Sequence, residues 1–133
     1  MTAAAAERAV KTPEDVVTVR QAVRARAVEL GFTLVDQTKL VTAASELARN
    51  LLQHAGGGIV RVETLTEGLR RGLRVVFEDK GPGIPDVDLA MRDGYSTSGG
   101  LGLGLSGARR LSNDFRIESV PGTGTRISIA RWK

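Results

Sequence analysis

The residues from Leu73 to Asp86 read LRVVFEDKGPGIPD, a predicted strand followed by a turn that contains two glycines. Side chains alternate between the two faces of a strand, so Leu73, Val75, Phe77 and Asp79 share one face. A carboxylate at the rim of an apolar face is costly unless a hydrogen-bond donor meets it. Asp79 is therefore either the acceptor for a bound group, of which an adenine amino group is one example, or a cap for the glycine turn.

The segments around this stretch predict the fold. The first helix begins at Pro13, with acidic residues after it, and Gly31 ends it. The second helix begins near Asp36, which is its predicted N-cap, and runs to about His54. The other predicted elements are strands at Ala9–Thr12, Ile59–Leu65, Leu73–Asp79, Phe115–Val120 and Thr125–Arg131, the turn Thr66–Gly72, a helical turn near Asp86–Met91, and a third helix from within Leu103–Ser106 to near Ser112. This order predicts an α+β two-layer sandwich, with the helices packed on one face of a mixed, mostly antiparallel sheet.

Length and composition favour one small domain. The chain has 133 residues, 41% of them hydrophobic and only 4% aromatic, so the core is expected to be aliphatic. Residues 1–8 are expected to form a flexible arm and residues 9–133 a single domain. The absence of Cys excludes thiolate metal sites and cysteine nucleophiles, and one histidine, His54, excludes a multi-histidine metal site. No signal peptide or membrane span is evident, so a cytoplasmic protein is expected.

Two polar residues of the second predicted helix, Glu46 and Asn50, are four positions apart and therefore lie one turn apart. Both flank the apolar stripe of that helix, where a polar side chain is only partly solvated. A carboxylate and an amide in such a place can act as a general base and a magnesium ligand, since Mg²⁺ prefers oxygen donors. The alternative is a solvated surface pair.

A glycine run, GGLGLGLSG at residues 99–107, precedes the third predicted helix. Glycine at every second position from Gly100 to Gly104 frees the backbone to turn its N–H groups inward, and the following helix dipole also favours an anion. Gly102, Gly104 and Gly107 fit the dinucleotide fingerprint G-x-G-x-x-G, but no apolar strand leads into them. Only 26 residues follow, too few for a Rossmann sheet. The alternative to an anion site is a flexible loop.

The three motifs occur in one order: E-x-x-x-N on a helix, D-x-G-x-G after a hairpin strand and G-x-G-x-G before a helix. In this order the chain resembles the GHKL superfamily of ATPases and kinases, whose Bergerat fold is a two-layer α+β sandwich. Within it, the chain is similar to the serine kinases related to anti-sigma factors, in particular the switch-protein kinases of the stressosome. The stretches that carry the resemblance are VTAASELARN (41–50), EDKGPGIPD (78–86), DGYSTSGGLGLGLSG (93–107) and GTGTRISIARWK (122–133).

The resemblance implies a role for each matching residue. It implies that ATP and Mg²⁺ are cofactors, that Asn50 binds the metal, that Glu46 is the catalytic base and that Asp79 recognises adenine. The other residues implied for the ATP site are Arg49, Gly81, Gly83, Gly99, Gly100, Leu101, Gly102, Leu103, Gly104 and Thr125, with a lid over residues 85–99. Alternation along the last predicted strand independently places Thr125 on the same face as Ile127 and Ile129. For Arg49, an ordinary surface charge is an equal alternative.

The resemblance also implies a serine/threonine protein kinase that phosphorylates a STAS-domain antagonist or stressosome scaffold. When released, such a kinase binds and activates a PP2C-type phosphatase. The alternative is a nucleotide-gated anti-sigma factor that sequesters a sigma factor. Nucleic-acid binding is not expected, because the basic residues form no stripe and no exposed aromatic pair is evident. A membrane partner is not expected either, because no apolar run is long enough for a membrane span. His54 is expected to be a helix-end residue, and Trp132 either packs at an edge or contacts a partner.

Overall fold

The computed structural model describes residues 2–84, Val87, Met91 and residues 103–133. Its elements in chain order are β1 (Thr2–Val10), α1 (Pro13–Glu29), α2 (Leu34–Ala55), β2 (Gly58–Glu67), β3 (Arg70–Asp79), α3 (Leu103–Arg110), β4 (Asp114–Val120) and β5 (Gly124–Trp132). The helices pack through buried apolar side chains on one face of the sheet formed by these strands. The predicted α+β two-layer sandwich is confirmed.

Both long helices begin at a threonine that caps the first turn. The Thr12 hydroxyl accepts from the Asp15 amide at 3.3 Å, and the Asp15 carboxylate accepts from the Thr12 amide at 3.0 Å, which forms a capping box. The Thr33 hydroxyl accepts from the Asp36 amide at 3.2 Å. The prediction that Asp36 caps the second helix is therefore wrong: Thr33 provides the acceptor, and the helix begins earlier, at Leu34.

The strands lie in the order β1-β2-β3-β5-β4, and the four pairings found among the described residues are all antiparallel. The mixed character predicted for the sheet is therefore wrong for this part of the chain. The turn predicted at Thr66–Gly72 is also shorter, because Glu67 pairs directly with Arg70 and leaves only Gly68 and Leu69 between β2 and β3. Gly68 has a φ of 60°, the left-handed conformation that such two-residue turns need.

Strand β1 replaces the flexible arm that was expected over residues 1–8. Its residues Thr2–Val10 pair with Gly58–Leu65 of β2 and form an edge of the sheet. The sequence TAAAAERAV contains few residues that favour strands, so pairing with β2 and full burial of Val10 account for β1 better than local propensity does. The short strand predicted at Ala9–Thr12 is corrected likewise, since β1 ends at Val10.

The core lies between the helices and the sheet and is mostly aliphatic, as the composition predicts. Phe77 of β3 and Leu40 and Leu47 of α2 are among its largest fully buried side chains. The outer face of the sheet carries charged pairs instead, such as Arg74 and Glu63, whose Nε and Oε1 atoms are 2.7 Å apart. Among the helices described, none has the length and apolar character that crossing a bilayer requires.

Trp132 packs on this outer face at the end of β5. A β-carbon on Gly72 would lie 2.8 Å from its ring, and the Arg70 guanidinium lies 4.4 Å from the ring centroid. The indole nitrogen donates to Asp114 Oδ2 at 3.1 Å. These contacts favour the edge-packing alternative for Trp132.

An ion pair joins β5 to the start of α2. Arg131 donates to Asp36 Oδ1 from Nη2 at 2.9 Å and from Nε at 3.3 Å, while its Nη1 donates to the Leu111 carbonyl at 2.9 Å. The hydrogen bonds from Arg131 lower the pKa of Asp36 below its usual value of 3.8. A carboxylate with a lowered pKa stabilises the fold above that usual value, and the stabilisation is lost as the pH falls through the lowered pKa.

Asp36→Asn is therefore expected to lower the free energy of unfolding by about 1 to 2 kcal/mol at neutral pH, and by less in acid. Urea unfolding of both proteins, measured from pH 7 downward through the usual pKa of 3.8, tests this expectation. Glu29→Gln is the control, since that carboxylate is largely exposed and lies 3.8 Å from Arg26. A difference between Asp36→Asn and the unsubstituted protein that is constant at every pH would contradict the assignment.

Candidate functional site

A small cavity lies between α2 and the sheet at the end of β3. Its walls include three predicted site residues, Asn50, Asp79 and Thr125. The other lining residues are Leu47, Leu51, His54, Phe77, Ile84, Leu105 and Ile127. The cavity volume is about 20 Å³, enough for no more than a water molecule. A larger ligand such as a purine can occupy it only when the walls move apart.

Asp79 is the last residue of β3 and stands opposite Thr125 of β5. Its Oδ1 atom accepts the Gly81 amide at 2.9 Å and the Thr125 amide at 3.3 Å. Within the described part of the chain, Oδ2 has no hydrogen-bond partner. One oxygen therefore caps the glycine turn, and the other remains available as an acceptor.

Gly81 and Gly83 allow the turn after β3 to pack closely against its neighbours. A β-carbon on Gly81 would lie 2.7 Å from that of Ala55, at the end of α2. Gly83 has a φ of 75°, and a β-carbon there would lie 2.5 Å from the Val120 carbonyl oxygen. Packing against α2 and β4 therefore requires both glycines, and their contact with adenine stays a prediction.

Asn50 projects from α2 at the cavity wall. Its side-chain nitrogen Nδ2 is buried and has no hydrogen-bond partner among the residues that the structure describes. A buried polar group left unpaired costs about 1 to 3 kcal/mol. Packing alone therefore gives no reason for an asparagine at this position, whereas a polar ligand in the cavity would remove the cost.

Glu46, one turn before Asn50, forms an ion pair with Arg49. Arg49 Nη1 lies 2.7 Å from Glu46 Oε1, and both side chains are more than a third exposed. An ion pair this exposed contributes less than about 1 kcal/mol to the stability of the fold. The Glu46 carboxylate can therefore exchange Arg49 for another partner with little loss of stability. The roles of Glu46 as a base and of Arg49 in binding ATP stay predictions.

The glycine run is only partly described. Gly99, Gly100, Leu101 and Gly102 lie outside the described residues, as does the predicted lid apart from Val87 and Met91. These two residues pack against the core, and the Met91 amide donates to the Val87 carbonyl at 3.0 Å, as in a helical turn. Leu103 and Gly104 begin α3, as predicted for the third helix, and α3 ends at Arg110.

Two further residues connect the walls of the cavity, although the sequence predicted only a helix-end role for His54 and none for Ser119. His54 Nε2 lies 3.0 Å from the Gly83 carbonyl oxygen, to which it donates. Ser119 Oγ accepts the Ile84 amide at 2.6 Å and lies 2.9 Å from Thr125 Oγ1. The one sequence signal for Ser119 is alternation along β4, which places it on the helix-facing side of the sheet.

The groups around the cavity fit a magnesium ion that arrives with a nucleotide. Within residues 2–84 and 103–133, no group of three or more His, Cys, Asp or Glu side chains could hold a metal ion alone. Asn50 offers an amide oxygen, and Mg²⁺ commonly completes its coordination with substrate phosphates and water. The Asn50 Nδ2 donor, which has no partner among the described residues, and the Asp79 carboxylate acceptor lie in the same cavity wall and together suit a polar ligand such as a nucleotide.

The known proteins to which this chain is similar include a protein kinase and an anti-sigma factor. The chain is 48% identical to the serine/threonine-protein kinase RsbT of Bacillus subtilis over 123 residues, which are 92% of each chain. It is 32% identical to an anti-sigma F factor of Clostridium kluyveri over 118 residues, which are 84% of this chain and 82% of that one.

Two solved structures share the fold. The crystal structure of the RsbU and RsbW domains of a Mycobacterium tuberculosis protein aligns with a TM-score of 0.60 and 21% identity, over 97% of this chain and 32% of that longer chain. The mycobacterial sensor histidine kinase MprB aligns with a TM-score of 0.57 and 20% identity, over 96% of this chain and 97% of that one.

The family assignment agrees with the resemblance inferred from the motifs. Residues 35–133 match the model of the histidine kinase-, DNA gyrase B- and HSP90-like ATPases. That range contains α2 from its second residue, the cavity and four of the five strands, β2 to β5. The chain therefore belongs to the histidine kinase-, DNA gyrase B- and HSP90-like ATPase family, the GHKL superfamily.

Proposed function

We propose that this chain is an ATP-dependent protein serine/threonine kinase that phosphorylates a STAS-domain partner and, when released, binds and activates a PP2C-type phosphatase. The similarity to RsbT supports the kinase activity. The structural observation that carries the proposal is that the buried Asn50 Nδ2 donor has no partner among the described residues and lies in the same cavity wall as the Asp79 carboxylate. A cytoplasmic location and a single kinase domain, which includes β1 from Thr2, belong to the same proposal.

Each residue of the site has a proposed task in binding. Asp79 accepts a hydrogen bond from the adenine base through its free oxygen, and Asn50 holds Mg²⁺ through its side-chain oxygen. The first part of the glycine run, Gly99–Gly104, is the proposed phosphate cradle. The helix α3 begins in this part at Leu103, and a helix N-terminus favours an anion. Mg²⁺ and ATP supply charge neutralisation and the phosphoryl group.

The proposed task of Glu46 is to direct the acceptor hydroxyl. Phosphoryl transfer depends mainly on positioning and charge neutralisation, so one well-placed base is sufficient. The Glu46 carboxylate lies one turn from Asn50 and would accept the proton of a serine or threonine hydroxyl as the hydroxyl oxygen bonds to the γ-phosphorus of ATP, with ADP as the leaving group. Because the ion pair with Arg49 is exposed, a hydroxyl that a folded partner presents can replace Arg49 at this carboxylate.

A nucleotide-gated anti-sigma factor is the second candidate, supported by the similarity to an anti-sigma F factor. In that case binding and sequestering a sigma factor would be the main activity. The same cavity and the same nucleotide would serve both functions, so the difference lies in whether a phosphoryl group is transferred.

Incubation with γ-labelled ATP, Mg²⁺ and a purified STAS-domain protein tests the kinase. Label is expected on a serine or threonine of the STAS protein. Glu46→Gln is expected to slow the transfer by at least about 100-fold with little change in ATP affinity, because a glutamine cannot take the proton. Glu29→Gln, an exposed carboxylate at the end of α1, is the matched control.

The outcomes separate the two candidates. Tight stoichiometric binding of a partner without transfer of label would contradict the kinase and support the anti-sigma factor. Full transfer by Glu46→Gln would show that the base lies elsewhere, while the kinase assignment would stand.

A further inference from the structure

The ion pair between Glu46 and Arg49 lies at the place where an acceptor hydroxyl has to arrive. Glu46, Arg49 and Asn50 are neighbours on α2, because residues three and four positions apart share one face of a helix. Asn50 turns into the wall of the cavity, whereas Glu46 and Arg49 are not among the described residues that line it. The Glu46 and Arg49 side chains are 39% and 47% exposed. A partner that brings a hydroxyl to Glu46 from the solvent therefore covers Arg49 as well.

Arg49 needs a new counter-charge when it is covered in this way. Within the described part of the chain, Glu46 is its one ion-pair partner, with Arg49 Nη1 at 2.7 Å from Glu46 Oε1. When the hydroxyl takes the place of Arg49 at this carboxylate, the guanidinium loses its counter-charge while the partner's surface excludes water from it. Arginine stays protonated in proteins, so it cannot lose its charge instead. A charge that is desolvated and unpaired is strongly unfavourable at an interface.

We propose that Arg49 is a specificity-determining residue that pairs with a carboxylate of the STAS-domain partner, close to the serine or threonine that is phosphorylated. This inference rests on the proposed kinase activity and adds a chemical requirement for its substrate. The planar guanidinium can donate two parallel hydrogen bonds to a carboxylate, so an aspartate or glutamate is a better match than a neutral side chain. A basic residue at the same place on the partner would be repelled.

The γ-phosphate of ATP is the other anion in reach of this part of α2, and two observations favour the partner's carboxylate. Asn50, the next residue, lines the cavity proposed for the nucleotide, whereas Arg49 is exposed. The Arg49 guanidinium also already holds a carboxylate in the free chain, so exchanging Glu46 for a carboxylate of the partner preserves the kind of contact. Contact between Arg49 and the γ-phosphate is an outcome that the experiment separates.

Steady-state transfer of label from Mg-ATP to the purified STAS-domain protein tests the proposal. Arg49→Gln is expected to lower kcat/KM for the STAS protein on the order of 30-fold, chiefly by raising its KM, because the partner's carboxylate is then left unpaired. The Kd for Mg-ATP, measured by calorimetry, should not change. Arg116→Gln is the matched control, since Arg116 is an exposed arginine on β4 that pairs with Ser128 on the outer face of the sheet. The control should change neither quantity.

The Arg49 variants are expected to keep the fold. The ion pair that they remove is exposed, so urea unfolding should show the stability of the unsubstituted protein. Arg49→Lys keeps the positive charge without the planar fork, and it should therefore transfer label faster than Arg49→Gln and more slowly than the unsubstituted protein.

An exchange of charges identifies the partner's carboxylate and excludes a merely structural role for Arg49. Arg49→Glu is expected to lower kcat/KM more than Arg49→Gln does, because it repels that carboxylate. Each exposed Asp and Glu near the labelled residue of the STAS protein is then replaced singly by Lys. One of these variants is expected to restore transfer by Arg49→Glu at least about tenfold and to be a poorer substrate for the unsubstituted kinase.

Three results would overturn this inference and leave the kinase assignment intact. The first is a raised Kd for Mg-ATP in Arg49→Gln with the KM for the STAS protein unchanged, which would assign Arg49 to the γ-phosphate. The second is an unchanged kcat/KM in Arg49→Gln. The third is that no Lys variant of the STAS protein restores transfer by Arg49→Glu. Failure of the unsubstituted chain to label the STAS protein contradicts the proposed function, and this inference with it.

Discussion

Replacing Asn50 with alanine is expected to abolish the Mg²⁺-dependent part of ATP binding. The substitution removes the amide oxygen that is proposed to hold the metal, and no cluster of carboxylates among the described residues can take its place. Titration with ATP in the presence of Mg²⁺ and in the presence of EDTA measures the effect. The two titrations should differ strongly for the unsubstituted protein and give the same Kd for Asn50→Ala.

The same substitution should not weaken the fold. The Asn50 Nδ2 atom is buried without a partner, so its removal is expected to leave the free energy of unfolding unchanged or to raise it by about 1 kcal/mol. Loss of binding with no loss of stability is typical of a residue kept for function. Gln53→Ala, an exposed amide of the same helix, is the control and should retain Mg²⁺ dependence. Intact Mg²⁺ dependence in Asn50→Ala would place the metal site elsewhere.

Asp79→Asn is expected to weaken ATP binding roughly 10- to 100-fold, the usual contribution of a hydrogen bond to a charged group. An asparagine oxygen can still accept the Gly81 and Thr125 amides that Oδ1 now accepts, so the turn should persist. The free acceptor oxygen, however, becomes an amide nitrogen, which is a donor and opposes the amino group of adenine. Calorimetric titration with Mg-ATP measures the loss.

Glu78→Gln is the matched control for Asp79→Asn. Glu78 precedes Asp79 and points to the opposite face of β3, where it lies 3.6 Å from Arg126. It should bind ATP as the unsubstituted protein does. Unchanged ATP affinity in Asp79→Asn would mean that the base does not bind at this cavity.

The helices were the most predictable part of the fold, because their signals are local. The proline at position 13 and the glycine at position 31 mark the ends of α1 closely, and α1 runs from Pro13 to Glu29. The start of α2 was missed because two capping residues, Thr33 and Asp36, compete within one turn. Only the structure shows which side chain accepts from which amide.

Strand β1 was not predictable because its cause is not local. An alanine-rich stretch such as TAAAAERAV has no strong preference for a strand, and β1 exists because the edge of β2 offers partners for its backbone. The turn between β2 and β3 has a related explanation. Gly72 resembles a turn residue in the sequence, whereas in the sheet it is the position over which Trp132 packs.

In the candidate site too, residues with a local sequence signal were predictable, and residues whose roles depend on distant contacts were not. Alternation along β3 correctly placed Asp79 on the helix-facing side, and helical spacing placed Asn50 at the cavity wall. Ser119 and His54 were missed because their roles depend on contacts across the fold, with Thr125 and Ile84 in one case and with Gly83 in the other. A serine in a strand has no local signal that indicates such contacts.

The central claim is that a nucleotide binds in the cavity between α2 and the end of β3. Residue-resolved amide chemical shifts, recorded by NMR as Mg-ATP is added, test it most directly. The largest changes are expected at the amides of Gly81, Ile84 and Thr125, which surround Asp79 and the cavity. Changes confined instead to the outer face of the sheet, around Arg116 and Ser128, would contradict the claim.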